Sequence, residues 1–171
     1  MSDSPPPPEK SLKAYQPLLV LITLVALSAF ARTLALPAFS FSAWMHDFMG
    51  FFLVVFSMFK LFDLSGFADG FQMYDLLAKR SRFYAKLYPF LELFLGLAYL
   101  SHWFPPVTYS ATIVLMAFGA LGVFSAIRKG MNIQCACMGT VLNVPLSTVA
   151  VVEDLGMVIM AAGMLLRNLL G

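Results

Sequence analysis

Two cysteines separated by a single residue carry the most reactive side chains of this sequence. Cys135 and Cys137 are the only cysteines among its 171 residues. In an extended chain, the α-carbons of residues two apart lie somewhat under about 7 Å from each other, which is the outer limit for a disulfide. A bridge at this spacing closes a small, strained ring, and strained disulfides are easily reduced. The pair is therefore suited to thiol–disulfide exchange.

The same segment also suits a soft metal ion. Two thiolates with the thioether of Met138 beside them are the ligands that Cu(I) or another soft metal prefers. A third interpretation is that Cys135 and Cys137 pack as small apolar residues at the entry to a helix. The spacing leaves these alternatives open, and the sequence fixes no cofactor.

Three carboxylates interrupt otherwise apolar segments, namely Glu92, Glu153 and Asp154. Charged side chains are costly inside a bilayer, which makes such residues candidates for function. Counted from predicted helix starts at residues 83 and 145, Glu92 and Glu153 both lie ~12 to 13 Å into their helices. We predict that Glu92 and Glu153 share a level below the cysteine loop and relay protons to the thiols, and that Asp154 assists them. Structural hydrogen bonding within the bundle is the alternative.

The composition excludes most soluble protein classes. Hydrophobic residues make up 60% of the chain and charged residues only 12%, whereas soluble domains have about a quarter charged residues. A net charge of +2 gives no sign of nucleic-acid binding. The predicted fold is an all-α integral membrane protein, a bundle of four or five transmembrane helices that contacts lipid.

The predicted spans follow from the length of the apolar segments. A helix needs about 20 residues to cross a bilayer, and five segments approach this length: 18–36, 43–62, 83–104, 107–127 and 145–166. Residues 1–16 contain four consecutive prolines and predict a disordered tail, which leaves 17–171 as the transmembrane domain. In 63–82, apolar residues recur at helical spacing between polar ones, which predicts an amphipathic helix at the membrane surface.

Two features of these spans have further interpretations. The first span reaches Ala29-Phe30-Ala31, a pattern typical of a signal-peptidase site. Because apolar character continues through Leu36, we favour an uncleaved helix.

His46 and Asp47, near the start of the second span, are interpreted as side chains at the membrane interface.

The distribution of basic residues predicts the orientation, because cytoplasmic loops are enriched in lysine and arginine. With the N-terminus inside, the outer side holds only Arg32 and Arg167. The cytoplasmic side then holds nine basic residues: Lys10, Lys13, Lys60, Lys79, Arg80, Arg82, Lys86, Arg128 and Lys129. The sequence therefore predicts a multi-pass protein of the inner (cytoplasmic) membrane, with its N-terminus and cysteine loop in the cytoplasm.

Several stretches resemble one known group of proteins. These stretches are residues 59–68, 73–80 and 88–99, residues 135–140 with Val144-Pro145, and Glu153-Asp154. They look like the MauE/DoxX-like redox-associated membrane proteins. In that group, MauE is implicated in maturing the disulfide-rich small subunit of methylamine dehydrogenase. Relatives occur near or fused to thioredoxin-like or heavy-metal-associated domains.

The resemblance implies a thiol–disulfide oxidoreductase that helps to mature a redox enzyme. Its partner is then a separate thioredoxin-like or metal-carrier protein, since the chain contains no such soluble domain. A Cu(I)-type metal-binding or transport protein and a non-catalytic assembly factor are the alternatives.

Overall fold

The computed structural model describes residues 12–129 and 146–170, with side chains from residue 16 onward and, in the last helix, from residue 153. Helices are the only regular elements within these ranges. They are α1 (Leu12–Leu34), α2 (Phe41–Phe62), α3 (Leu64–Tyr74), α4 (Arg82–Leu100), α5 (Pro105–Arg128) and α6 (Leu146–Leu170). The predicted all-α membrane fold is confirmed.

Fewer helices meet the requirements for a membrane span than the four or five predicted. Within the described ranges, three helices are long and apolar enough: Gln16–Leu34, Phe41–Phe62 and Pro105–Arg128. Helix α4 has sufficient length, but charged residues such as Lys86 and Glu92 interrupt its apolar character. Glu92, which the sequence indicated as a candidate functional residue, thus also lowers the hydropathy of this helix.

The turn between α4 and α5 begins earlier than predicted. Helix α4 ends at Leu100, four residues before the predicted boundary at 104. Pro105 and Pro106 occupy the first turn of α5, where the missing N–H groups cost nothing. A residue that precedes proline avoids the helical conformation, and the backbone turns through positive φ angles at His102 (53°) and Phe104 (39°).

Close approach of backbones defines the packing of the central helices. Helix α2 packs on α1 and α4, while α5 packs on α6. A Cβ atom at Gly96 on α4 would lie 2.9 Å from the backbone nitrogen of Val54 on α2. Only glycine therefore lets these two helices come so close together.

Helix α3 closes one end of the bundle. Asp63 caps its start by accepting a hydrogen bond from the Gly66 backbone N–H at 2.9 Å. Its apolar face buries Phe67, Phe71 and Tyr74, and the helix packs against α2, α4 and α5. This amphipathic helix lies within the region where the sequence predicts one.

Specific contacts join α1 to the bundle. The Trp44 indole N–H donates to the Ala26 carbonyl at 3.2 Å, and Arg32 pairs with Asp47 at 3.2 Å. Ala29, within the pattern that resembles a signal-peptidase site, is completely buried. Helix α1 is thus packed as part of the bundle.

Candidate functional site

The acids predicted from the sequence are all buried in the bundle. Glu92 on α4 has no exposed surface, and Glu153 and Asp154 near the start of α6 are 7% and 8% exposed. Carboxylates in such positions need a counter-charge or hydrogen-bond donors. The surroundings of these side chains therefore define the candidate site.

Lys60 on α2 supplies the counter-charge. Its Nζ donates to both carboxylate oxygens of Glu92, at 2.6 and 2.7 Å. The same nitrogen lies 3.8 Å from Oε1 of Glu153. Glu92 and Glu153 thus occupy one level of the bundle, and a single ammonium group links α2, α4 and α6.

Two aromatic rings also lie close to the ammonium group. Lys60 Nζ lies 5.7 Å from the centre of the Phe67 ring and 5.3 Å from that of Tyr88. Both distances fall within the range of cation–π attraction. Because Phe67 belongs to α3, the amphipathic helix forms part of the wall around the charged centre.

Asp154 faces the same region through a small cavity. The cavity has a volume of about 10 Å³, and Lys60, Tyr74, Tyr88 and Asp154 are among the residues that line it. That volume is about what one water molecule needs, and four of the eight lining residues have polar side chains. Asp154 therefore shares an environment with Lys60, Glu92 and Glu153.

This arrangement is an ionic network shielded from lipid and water. A buried ion pair is held by close geometry and additional hydrogen bonds, and loss of one partner leaves an uncompensated charge. Lys60 and Glu92 have this close geometry, because the ammonium group bonds to both carboxylate oxygens. Chemically, the centre can fix helix positions or exchange protons among its carboxylates, the ammonium group and water.

Sequence reasoning missed Lys60 as a member of the site. It lies two residues from the end of α2, so it was counted among the cytoplasmic basic residues. The structure shows it only 2% exposed. The signal that could have found it is one isolated lysine in an apolar helix accompanied by isolated acids in others, because intramembrane charges pair with one another. Without Lys60, the charge distribution is eight basic residues against two.

Cys135, Cys137 and Met138 lie outside the described residues. Their segment, 130–145, joins α5 to α6. A Cβ at Gly119 on α5 would lie 2.9 Å from Oδ2 of Asp154, which sets the second half of α5 beside the first turns of α6. Tyr109, near the start of α5, bonds to His46 near the start of α2, whereas Glu153, near the start of α6, lies beside Lys60 near the end of α2. Helices α5 and α6 are therefore antiparallel.

The other sequence-derived candidates differ from expectation. His46 and Asp47 were interpreted as interfacial, but they are only 3% and 2% exposed and lie within the bundle. Tertiary contacts bury them: His46 bonds to Tyr109, and Asp47 pairs with Arg32. In the part of the chain that is described, no group of three or more histidine, cysteine or acidic side chains is placed to hold a metal ion.

Comparison with known proteins identifies the family. The family described as "Methylamine utilisation protein MauE" matches residues 38–167. The match includes α2 to α5 and most of α6, together with the cysteine segment, but not α1. Comparisons with curated proteins and with solved structures gave no match. The chain therefore belongs to the MauE family, as an accessory membrane protein of methylamine utilisation.

Proposed function

We propose that this protein is a membrane thiol–disulfide exchange factor for maturation of a redox enzyme, with Cys135 and Cys137 as the reactive pair. The observation that carries the proposal is the attachment of the cysteine segment to α6, whose Glu153 contacts Lys60 at 3.8 Å. A buried ionic network thus lies seven residues beyond Leu146, where α6 begins. Reactive groups need such supporting structure to be held in place.

The exchange step conserves electrons between two proteins. A thiolate of a partner dithiol attacks one sulfur of the Cys135–Cys137 disulfide, and the other cysteine leaves as a thiolate that takes up a proton. The second partner thiolate then attacks the partner's own sulfur in the mixed disulfide. The remaining cysteine leaves as a thiolate and takes up a proton. The partner is oxidised to a disulfide, and the pair is reduced by two electrons. Strain in the small ring favours this direction.

The buried acids act in this scheme as positioning residues. Glu92 holds Lys60 on both carboxylate oxygens, and Lys60 in turn attracts Glu153. The start of α6 is thereby tied to α2 and α4. Proton relay through Glu92, Glu153 and Asp154 is the additional role predicted from the sequence, with the cavity beside Lys60 offering room for a water molecule.

The proposed partner is a separate thioredoxin-like protein, and the proposed location is the inner membrane with the cysteine segment in the cytoplasm. The excess of basic residues on that side supports this orientation. After reduction, an impermeant thiol reagent should label Cys135 and Cys137 only once spheroplasts are lysed. Labelling of intact spheroplasts would overturn the orientation and leave the exchange chemistry in place.

Trapping of the partner tests the exchange chemistry itself. Cys135→Ser leaves Cys137 as a single thiol, which should accumulate as a mixed disulfide with a protein that reductant releases. The variant in which both cysteines are serine is the matched control and should trap nothing. If Cys135→Ser and Cys137→Ser both fail to trap, and the reduced wild type instead binds Cu(I) tightly, the soft-metal function replaces redox exchange.

A further inference from the structure

The sequence contains only two histidines, and the structure brings them into contact across 56 residues. Nδ1 of His102, in the turn between α4 and α5, lies 2.7 Å from Nε2 of His46 on α2. His46 is buried, whereas His102 is exposed. The pair lies 14 residues along α2 from Lys60, about 21 Å away, at the opposite end of the bundle from the charged centre.

Hydrogen-bond partners determine which ring nitrogen of His46 carries its proton. Nε2 lies 2.7 Å from the carbonyl oxygen of Tyr99, which can only accept. Nε2 therefore carries the hydrogen, which the Tyr99 carbonyl and Nδ1 of His102 share as acceptors, so Nδ1 of His102 is unprotonated. On the other side of the ring, Nδ1 of His46 lies 2.8 Å from the Tyr109 hydroxyl, which donates to it.

This arrangement accepts His102 only in its neutral form. A proton added to Nδ1 of His102 would place two N–H groups opposite each other at 2.7 Å, where both donate and neither accepts. Imidazole is the side chain whose charge ordinarily changes between pH 5 and 8. Because the Tyr99 carbonyl keeps the hydrogen on Nε2 of His46, protonation of His102 at Nδ1 therefore pushes the two rings apart.

Release of this contact frees a strained turn. His102 and Phe104 both have positive φ angles, which are uncommon for residues other than glycine. Such conformations persist where surrounding contacts enforce them. The bond to His46 is one of these contacts, and the Thr108 hydroxyl, which donates to the Trp103 carbonyl at 2.8 Å, is another.

We propose that His46 and His102 form an acid-sensitive latch, in which protonation of His102 opens the α4–α5 turn. The other titratable or charged groups around His46 come from each neighbouring element. They are Arg32 on α1, Asp47 on α2, Tyr99 on α4 and Tyr109 on α5. Arg32 and Asp47 pair with each other at 3.2 Å, so their charges largely cancel near the histidines.

Hydrogen–deuterium exchange of the turn amides tests the latch. The full-length protein in lipid nanodiscs is measured between pH 5 and 8, and the rates for residues 101–108 are corrected for the intrinsic pH dependence of exchange. We expect the turn to exchange about tenfold faster at pH 5 than at pH 8, a change of about 1.4 kcal/mol in the free energy of opening. In His102→Gln, which has no titratable ring, the corrected rate should not depend on pH.

Two further variants identify the source of the pH dependence. His46→Phe should make the turn exchange at a pH-independent rate, because the phenyl ring keeps the shape but has no N–H to oppose a protonated His102. Asp47→Asn removes the neighbouring carboxylate but keeps both histidines, so the acid response should persist. A corrected rate that is equal at pH 5 and 8 in the wild type, or an acid response that survives in His102→Gln, would overturn the latch. These outcomes do not depend on Cys135 or Cys137.

Discussion

Lys60 on α2 bonds to both carboxylate oxygens of Glu92 on α4, and the two side chains are 3% and 0% exposed. This pair joins two helices that are distant in sequence. Glu153 lies 3.8 Å from the same ammonium nitrogen and adds α6 to the network. The helix that follows the cysteine segment is thus linked to the centre of the bundle by charge as well as by apolar packing.

Neutralising one member of this pair should destabilise the fold strongly. We expect Lys60→Met and Glu92→Leu each to lower the free energy of unfolding by about 3 to 5 kcal/mol, because each leaves a buried charge without its partner. The double variant should recover part of that loss, because Glu153 still lacks the ammonium group beside it. Denaturant unfolding in detergent micelles measures all three.

The exposed ion pair between Arg82 and Asp69 provides the matched control. Its atoms are 2.8 Å apart, but both side chains are more than half exposed. Asp69→Ala should therefore cost no more than about 1 kcal/mol. A double Lys60→Met/Glu92→Leu variant whose loss of stability equals the sum of the two single losses would show that the two residues are not coupled.

A methyl group at Gly96 should separate α2 from α4. Its Cβ would meet the Val54 backbone nitrogen at 2.9 Å and the Gly50 carbonyl oxygen at 3.1 Å. Backbone cannot move aside as a flexible side chain can, so Gly96→Ala should cost about 1 to 3 kcal/mol. Gly156→Ala on α6, where no atom lies within 4 Å, should be neutral or slightly stabilising. Equal thermal midpoints for the two variants would contradict this packing.

Asp75, which follows α3, should make stability depend on pH. Burial raises the pKa of its carboxyl group, although backbone N–H groups of Ala78 and Leu77 and the charge of Lys79 oppose this. A raised pKa means that folding favours the protonated form, so this group's contribution to stability falls as the pH rises through the folded-state pKa. Asp75→Asn retains an oxygen acceptor without the charge.

The melting temperature of Asp75→Asn relative to wild type should therefore increase between acidic and neutral pH. Thermal unfolding at several pH values measures this difference. A wild type that gains stability over the variant as the pH rises would indicate that the fold favours the charged carboxylate instead.

Helix α1 should remain in the mature protein. Cleavage after Ala31 would remove the completely buried Ala29 and the Ala26 carbonyl, which accepts a hydrogen bond from the Trp44 indole on α2. An epitope tag on the N-terminus should therefore persist in the purified membrane protein, and N-terminal sequencing should find the residues of the tail. A mature chain that begins at Arg32 would contradict the packing of α1.

Hydropathy and charge were sufficient to predict the helical membrane fold and the burial of Glu92, Glu153 and Asp154. An acid within an apolar segment is visible in a sequence, because nothing nearby explains it. Lys60 was not recognised because a lysine in the last turn of a span ordinarily extends to the interface. Only the position of α3 and the approach of α4 show that its ammonium group turns inward.

The histidine pair was even less accessible to sequence reasoning. His46 was taken for an interfacial residue because it lies near the start of a span. Its contact with His102 depends on where α4 ends, and that boundary moved from 104 to Leu100. Pairing across 56 residues has no local signature, so it became visible only with the tertiary structure.

The number of free thiols as a function of redox potential tests the proposed exchange most directly. The purified full-length protein is equilibrated with glutathione or dithiothreitol buffers, and its thiols are alkylated and counted. We predict one cooperative two-electron transition between two thiols and none, at a potential above about −300 mV, the value below which structural disulfides lie. Cys135 and Cys137 that stay reduced at every potential up to that of an oxidising compartment would contradict the account.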